Sequence, residues 1–179
     1  LLLVARTVDI LLKLRKAMDC REIKRTYLAL VCGHMQAETG TIDQPIGRSV
    51  HDRRKMVVTK GRGRSAQTTF HLLNRFRSYD LLEITLQTGR THQIRVHFSH
   101  LGHPVFGDPE YGGRETWRRG MFAPERPLAG KLLNLIDRQM LHARRLEFTH
   151  PVSGKPIVCE SDPPEDFKTV LAILEREGQ

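Results

Sequence analysis

The stretch richest in groups that could do chemistry is Leu86 to His103, LQTGRTHQIRVHFSHLGH, with two arginines and four histidines. Its spacing predicts a strand that ends at Thr88-Gly89 and a helix that begins at once, from about His92 to Leu101, with Thr91 as the N-cap and Gly102 past the end. A helix start leaves backbone N–H groups free and suits a phosphate or a carboxylate. On a helical repeat, Ile94, Phe98 and Leu101 share the face that must be buried, and His92, Arg95 and Ser99 share a flank. Arg95 directly follows Ile94, so its guanidinium belongs at the edge of the core. A charge there needs a partner, and a carboxylate from elsewhere in the fold is the natural one. An ordinary surface arginine at a helix start fits the same pattern.

His92, His97, His100 and His103 scatter over different flanks, with no HExxH and no close Cys pair beside them. Hydrogen bonding to phosphate or backbone explains them better than a metal. Tyr27 sits two residues from Arg25 on an otherwise apolar strand. It is either a core tyrosine with its hydroxyl at the edge, or an aromatic platform or proton acceptor in a cleft. No GxSxG, Walker A, dinucleotide GxGxxG or HxE…PCxxC pattern occurs, which argues against the common hydrolases, nucleotide-binding enzymes and zinc deaminases.

The elements that must position these groups follow from periodicity and punctuation. Leu1–Ala5 predicts a buried strand, and Thr7 caps a helix with the stripe Ile10, Leu11, Leu14 and Met18. RTYLALVCG (25–33) predicts a strand with Tyr27, Ala29 and Val31 on one face and Leu28 and Leu30 on the other. Thr41–Gly47 is a short strand and turn, and the basic stretch from Ser49 to Gly63 a hairpin. Thr68–Phe76 and Leu81–Leu86 make an antiparallel pair. Beyond the loop-rich Pro109–Pro127 come a short helix at Leu128–Ile136 and strands at Leu141–Phe148 and Ile157–Glu160. A last helix is capped by Asp162, with Phe167, Val170, Leu171 and Leu174 buried. Many strands, few helices and no regular β-α alternation predict an α+β fold around a mixed, largely antiparallel sheet.

The chain has 179 residues, enough for one domain, and 39% of them are hydrophobic, which excludes a disordered chain. Lys and Arg outnumber Asp and Glu 29 to 20, for a net charge of +9, and this excess favours a polyanionic partner such as nucleic acid. Cys20, Cys32 and Cys159 are an odd number without a close pair, as suits a reducing cytoplasm. No apolar run is long enough to span a membrane. Residue 1 is not Met and falls within an apolar run, which suggests a chain that lost an N-terminal piece.

Several segments together resemble the RluA-type pseudouridine synthases: RTYLALV (25–31), IDQPIGR (42–48), RRKMVV (53–58), LQTGRTHQIRVH (86–97), LGHPVFGDPEYGG (101–113), RQMLHARRLEFTHPVSG (138–154) and DPPEDF (162–167). The resemblance runs in order over almost the whole chain. It implies a catalytic-domain fold with a central sheet in two halves and an RNA-binding cleft between them. It also implies isomerisation of uridine, most often in large-subunit ribosomal RNA, with no metal or organic cofactor. In the family an aspartate in HRLDxxTSG attacks the flipped-out uridine. That motif would precede Leu1 and occurs nowhere in these 179 residues.

Residue by residue, Tyr27 matches the active-site tyrosine that packs on the target base and is proposed to take its proton. Arg95 matches the arginine that pairs with the catalytic aspartate, and Leu141 an apolar residue beneath the base. Arg90, Thr91, His92 and Gln93, with Arg48, Arg53 and Lys55 from the basic stretch, would contact phosphates or flanking nucleotides. The expectation is a monomeric cytoplasmic isomerase whose residues 1–179 form an N-terminally incomplete catalytic domain that binds RNA without turning it over. The competing readings are a non-catalytic RNA-binding protein of the same fold and, less well supported for want of clustered acids, a nuclease.

Overall fold

The structure is a computed structural model and describes residues 1–177. Its centre is a six-stranded sheet ordered β2-β5-β6-β1-β7-β8, in which every pairing between described strands is antiparallel. The strands are β1 (Lys24–Cys32), β2 (Thr39–Asp43), β5 (Gln67–Arg75), β6 (Tyr79–Leu86), β7 (Leu141–Thr149) and β8 (Pro156–Glu160). A separate hairpin joins β3 (Ile46–Arg48) to β4 (Met56–Val58). The fold class is the α+β arrangement that the residue pattern implies.

β1 is central because both its faces are apolar. Leu28, Leu30 and Cys32 meet Ala129, Leu132 and Leu133 of α4 (Arg126–Leu133) and Phe167, Val170 and Leu174 of α5 (Glu165–Glu177). On the other face Ala29 and Val31, with Tyr27 packed beside them, meet Ile94 and Phe98 of α2 (Gln93–His100). Helices therefore cover both sides of the sheet, and the side-chain alternation of one strand decides which helix each residue meets. α1 (Val8–Asp19) starts at Thr7, whose hydroxyl accepts from the Ile10 amide at 3.4 Å, and buries only Leu14.

Three expectations need correction. Leu1–Ala5 is not a buried strand but an irregular segment on the surface, with Leu2 86% and Val4 69% exposed. An apolar run this short carries no partner strand of its own, and none of the sheet's edges receives it. α5 begins at Glu165 rather than just after Asp162, because two consecutive prolines delay its first turn; its first backbone bond runs from the Lys168 amide to the Pro164 carbonyl. The loop-rich stretch 109–127 contains a short helix, α3 (Glu115–Gly120). Among the described residues no helix is long and apolar enough to cross a membrane.

Candidate active site

Tyr27 stands half-buried on β1, opposite Ile84 of β6 and Ala143 of β7. The register slips at this point: Thr26 pairs with Arg145 but Tyr27 with Ala143, leaving Arg144 as the extra residue of a β-bulge. Bulges re-aim side chains, and here one lies beside a cleft of about 160 Å³ bounded by Leu1–Leu3, Arg25, Tyr27, Ala143 and Arg145. Leu1 is held there by its amino group, which donates to the Ala143 carbonyl at 3.3 Å. Burial raises the pKa of Tyr27 above the usual phenol value, and the nearby Arg25 only partly offsets it, so the side chain is a neutral phenol at physiological pH. Leu141 pairs with Ala29 and packs with Tyr27 against the same apolar cluster.

The turn that follows β6 rests on Arg25. A Cβ at Gly89 would come within 2.5 Å of the Arg25 guanidinium, so a larger residue there would displace the end of the Arg25 side chain. Arg25 Nε is buried without a hydrogen-bond partner among the described residues, and no carboxylate among them pairs with Arg25 or with Arg90. Arg90 uses Nε to donate to the Ser65 carbonyl at 2.9 Å.

Arg95 does not await an acid from outside the chain. It is 8% exposed and already holds two. Its Nε donates to Asp108 Oδ2 at 2.6 Å, its Nη2 to Asp108 Oδ1 at 2.8 Å, and Nη2 also to Glu110 at 2.6 Å. Burial disfavours the charge, but these hydrogen bonds outweigh it and raise the pKa further. The expectation that a buried Arg95 needs a carboxylate holds; that the carboxylate lies upstream does not. The flank on which His92, Arg95 and Ser99 fall together exists, and Tyr111 fills it. The Arg95 guanidinium lies 4.7 Å from the Tyr111 ring centre, Ser99 donates to the Tyr111 carbonyl, and His92 Nδ1 is 3.0 Å from the Tyr111 hydroxyl.

The other matched residues divide sharply by exposure. Thr91 is exposed, but it is not the cap of α2. His92 takes that place, with φ of 56° and no side-chain capping bond. A left-handed histidine is uncommon, and it lies next to the Thr88–Arg90 turn. Leu101, expected on the buried face, is 42% exposed because the helix has already ended there. Gln93 is 2% exposed and all its polar atoms are engaged within the protein, which removes it as a direct contact to a ligand.

Arg48 and Arg53 are exposed and Lys55 half-exposed on the β3–β4 hairpin. The hairpin packs on α2 through Ile46, Met56, Val58 and Val96, and the Met56 amide donates to the Tyr111 hydroxyl at 3.1 Å.

Known proteins resemble this chain in sequence and in fold. Residues 1–100 match the RNA pseudouridylate synthase family. The chain is 43% identical over 177 residues to a protein named ribosomal large subunit pseudouridine synthase D from Xanthomonas campestris pv. campestris, covering 99% of this chain and 52% of that protein. It is 40% identical over 174 residues to the Escherichia coli K12 protein of the same name, covering 97% and 52%. The chain belongs to the RNA pseudouridylate synthase family. It spans about half the length of these curated relatives. Among solved structures, Human RNA Pseudouridylate Synthase Domain Containing 1 aligns with a TM-score of 0.68 at 28% identity, covering 90% of this chain and 63% of that one. Human RNA Pseudouridylate Synthase Domain Containing 4 shares the fold, with a TM-score of 0.72 at 23% identity, covering 94% of this chain and 69% of that one.

Within this pseudouridylate synthase fold, Asp108, Glu110 and Tyr111 are the site residues that sequence reasoning passed over. Their signal was the acid after VFG in LGHPVFGDPEYGG, too far along the chain for helical or strand spacing to link it with Arg95. The histidines part company as their spacing suggested: His97 bonds Thr68 and Gln44, His92 bonds Tyr111, and His103 meets the Cys32 carbonyl. A larger depression of about 380 Å³ opens beneath edge strand β2, among Ile42, Phe70, His100 and His103, and shares no residue with the Tyr27 cleft.

Proposed function

We propose that the protein isomerises uridine to pseudouridine in RNA, with large-subunit ribosomal RNA as substrate, and that it works in the cytoplasm as a monomer. The observation that carries this reading is the half-buried Tyr27 in its cleft beside Arg25, with Gly89 of the following turn close to the Arg25 guanidinium. The names of the relatives support the substrate. The reaction breaks C1′–N1, forms C1′–C5 and moves one proton from C5 to N1. Atoms and electrons balance within the nucleoside, so no redox partner is required. What is required is an extruded base, a nucleophile and a place for a proton.

The attacking carboxylate, in this reading, comes from an aspartate on a segment preceding Leu1. Leu1–Leu3 line the cleft beside Tyr27, so such a segment would enter there. Arg25 and Arg90, neither held by a carboxylate of the described residues, are the cations that would keep it ionised and aimed. Arg95 is instead a positioning residue that acts through Asp108 and Tyr111. Tyr27 meets the base as a neutral phenol, which favours packing and hydrogen bonding over immediate proton abstraction. Thr91, His92, Arg48, Arg53 and Lys55 contact phosphates; Gln93 supports them from beneath.

Tritium release from RNA labelled at uridine C5 tests the reading. The 179 residues should bind a ribosomal stem-loop without releasing tritium. A chain extended upstream by a segment bearing the HRLDxxTSG aspartate should release it. Failure of the extended chain on any ribosomal RNA fragment, or release by the 179 residues alone, would refute the respective half.

A further inference from the structure

His97 is wholly buried, on the inner side of the helix that carries the matched motif, and no step above uses it. Both its ring nitrogens are engaged. Nε2 lies 3.0 Å from the Gln44 carbonyl, which can only accept, so Nε2 carries the proton. Nδ1, 2.9 Å from Thr68 Oγ1, must then accept, and the Thr68 hydroxyl donates to it. Thr68, also wholly buried, receives in turn from Gln93 Nε2 at 3.0 Å, and that amide donates as well to the Gln67 carbonyl at 2.9 Å. Gln93 Oε1 then faces two donors, the Thr88 hydroxyl at 2.8 Å and the Arg90 amide at 3.0 Å. Thr88 Oγ1 closes the chain by accepting from the Gln67 amide at 2.9 Å.

The Gln44 carbonyl fixes the imidazole proton and with it the hydroxyl of Thr68, while the Gln67 carbonyl and the Arg90 amide fix the amide of Gln93, so the side chains of His97, Thr68, Gln93 and Thr88 form one consistently oriented series. One end is the turn that bears Arg90. The other is Gln44, whose amide bonds the Ala66 carbonyl and from which the chain passes through Pro45 into the basic hairpin, where Ile46 and Arg64 exchange both backbone bonds. We propose that His97 is a positioning residue which, as the Nε2-protonated neutral tautomer, aligns the Thr88–Arg90 turn through Thr68 and Gln93 while anchoring the entry of the β3–β4 hairpin at Gln44. The cation-bearing turn and the basic hairpin are thereby held in one register by a side chain that touches neither substrate nor solvent. That the register serves catalysis rests on the function proposed above; the relay itself does not.

The test begins with the 179-residue chain and no RNA. Nitrogen-15 spectra of the imidazole rings at neutral pH should show His97 with its proton on Nε2; a proton on Nδ1 overturns the proposal outright. Amide exchange is then compared for wild type, His97→Ala and His97→Gln. The reporters are Arg90 and Gln67, whose amides donate to the relay's side chains, against Val170 in α5 as reference. His97→Ala should accelerate exchange at Arg90 roughly tenfold or more relative to Val170, as for a buried bond lost. His97→Gln, which can place an oxygen toward Thr68 and an NH₂ toward Gln44, should restore it to within about threefold. Equal exchange in all three proteins sinks the relay. If His97→Ala does not fold, the wild-type tautomer and the exchange in His97→Gln still decide. RNA affinity is measured separately: loss of affinity in His97→Ala supports the coupling to the hairpin. An altered Arg90 amide with unaltered affinity overturns the hairpin's role in RNA binding, and leaves the relay standing.

Discussion

Arg95 and Asp108 meet at two points inside the protein, with Nε on Oδ2 at 2.6 Å and Nη2 on Oδ1 at 2.8 Å. The Arg95 side chain is 10% exposed and that of Asp108 is wholly buried. The same carboxylate accepts from the amides of Glu110 and Tyr111, so it shapes the loop as well as neutralising the cation. Removing one member of a buried ion pair costs about 3–5 kcal/mol, because the survivor is left charged and poorly solvated. Glu110 still accepts from Nη2, which places the expected loss for Asp108→Ala near the lower end, about 3 kcal/mol. Urea denaturation measures it. A loss below about 1 kcal/mol, the scale of an exposed pair, would mean that the site is open to water in solution.

Acid should weaken the fold in two stages. Burial lowers the pKa of His97 below its ordinary 6.5, with His100 on the same helix adding to the effect and Asp43 on β2 and the Gln44 carbonyl opposing it. The unfolded chain therefore takes up this proton first. The associated stability is complete above about pH 6.5 and is lost as pH falls through the lower folded value. Asp80 has the carboxylate form of the same logic. Burial alone would raise its pKa, but bonds from Arg75, His34 and the Met35 amide outweigh burial and lower it from 3.8. Its contribution is present above about pH 3.8 and disappears below, as pH falls through the depressed value. Urea midpoints between pH 8 and pH 2 should show both declines. His97→Gln should remove the first and keep the second; a wild-type midpoint that does not change between pH 7 and pH 5 contradicts the assignment.

Strand assignment was legible wherever alternation met a partner of matching pattern. Tyr27, Ala29 and Val31 do face the α2 side and Leu28 and Leu30 the other, and the Thr68–Phe76 and Leu81–Leu86 pair differs from β5 and β6 by at most two residues at any end. Leu1–Ala5 failed because apolar content says that a segment would gain by burial, not that a sheet edge is available to it. The identity of Arg95's partner failed for a similar reason. Sequence position showed that a buried guanidinium needs a carboxylate, but the carboxylate comes from the loop after α2 and reaches Arg95 only in the folded chain. Gln93 was expected to be a contact residue because it lies in the motif that carries the family resemblance. Its burial follows from Thr68 and Gln67, on a strand more than 20 residues upstream.

RNA binding should depend on salt through the hairpin and on hydrogen bonding through its tether. Single-stranded RNA loses about 0.7 in the slope of log K against log salt for each phosphate contact removed. Replacing Arg48, Arg53 and Lys55 by Gln should therefore flatten that slope by about 2 between 50 and 200 mM salt. Tyr111→Phe removes the acceptor of the Met56 amide and the partner of His92 Nδ1, and leaves every charge in place. It should weaken binding by about tenfold or more, on the scale of about 1 kcal/mol for each of two neutral bonds, with the slope unchanged. Fluorescence anisotropy titrations of a ribosomal stem-loop separate the two. If the triple variant keeps the wild-type slope, the hairpin does not touch phosphate. If Tyr111→Phe changes the slope, the hydroxyl controls how many cations engage the RNA rather than how firmly the hairpin is held.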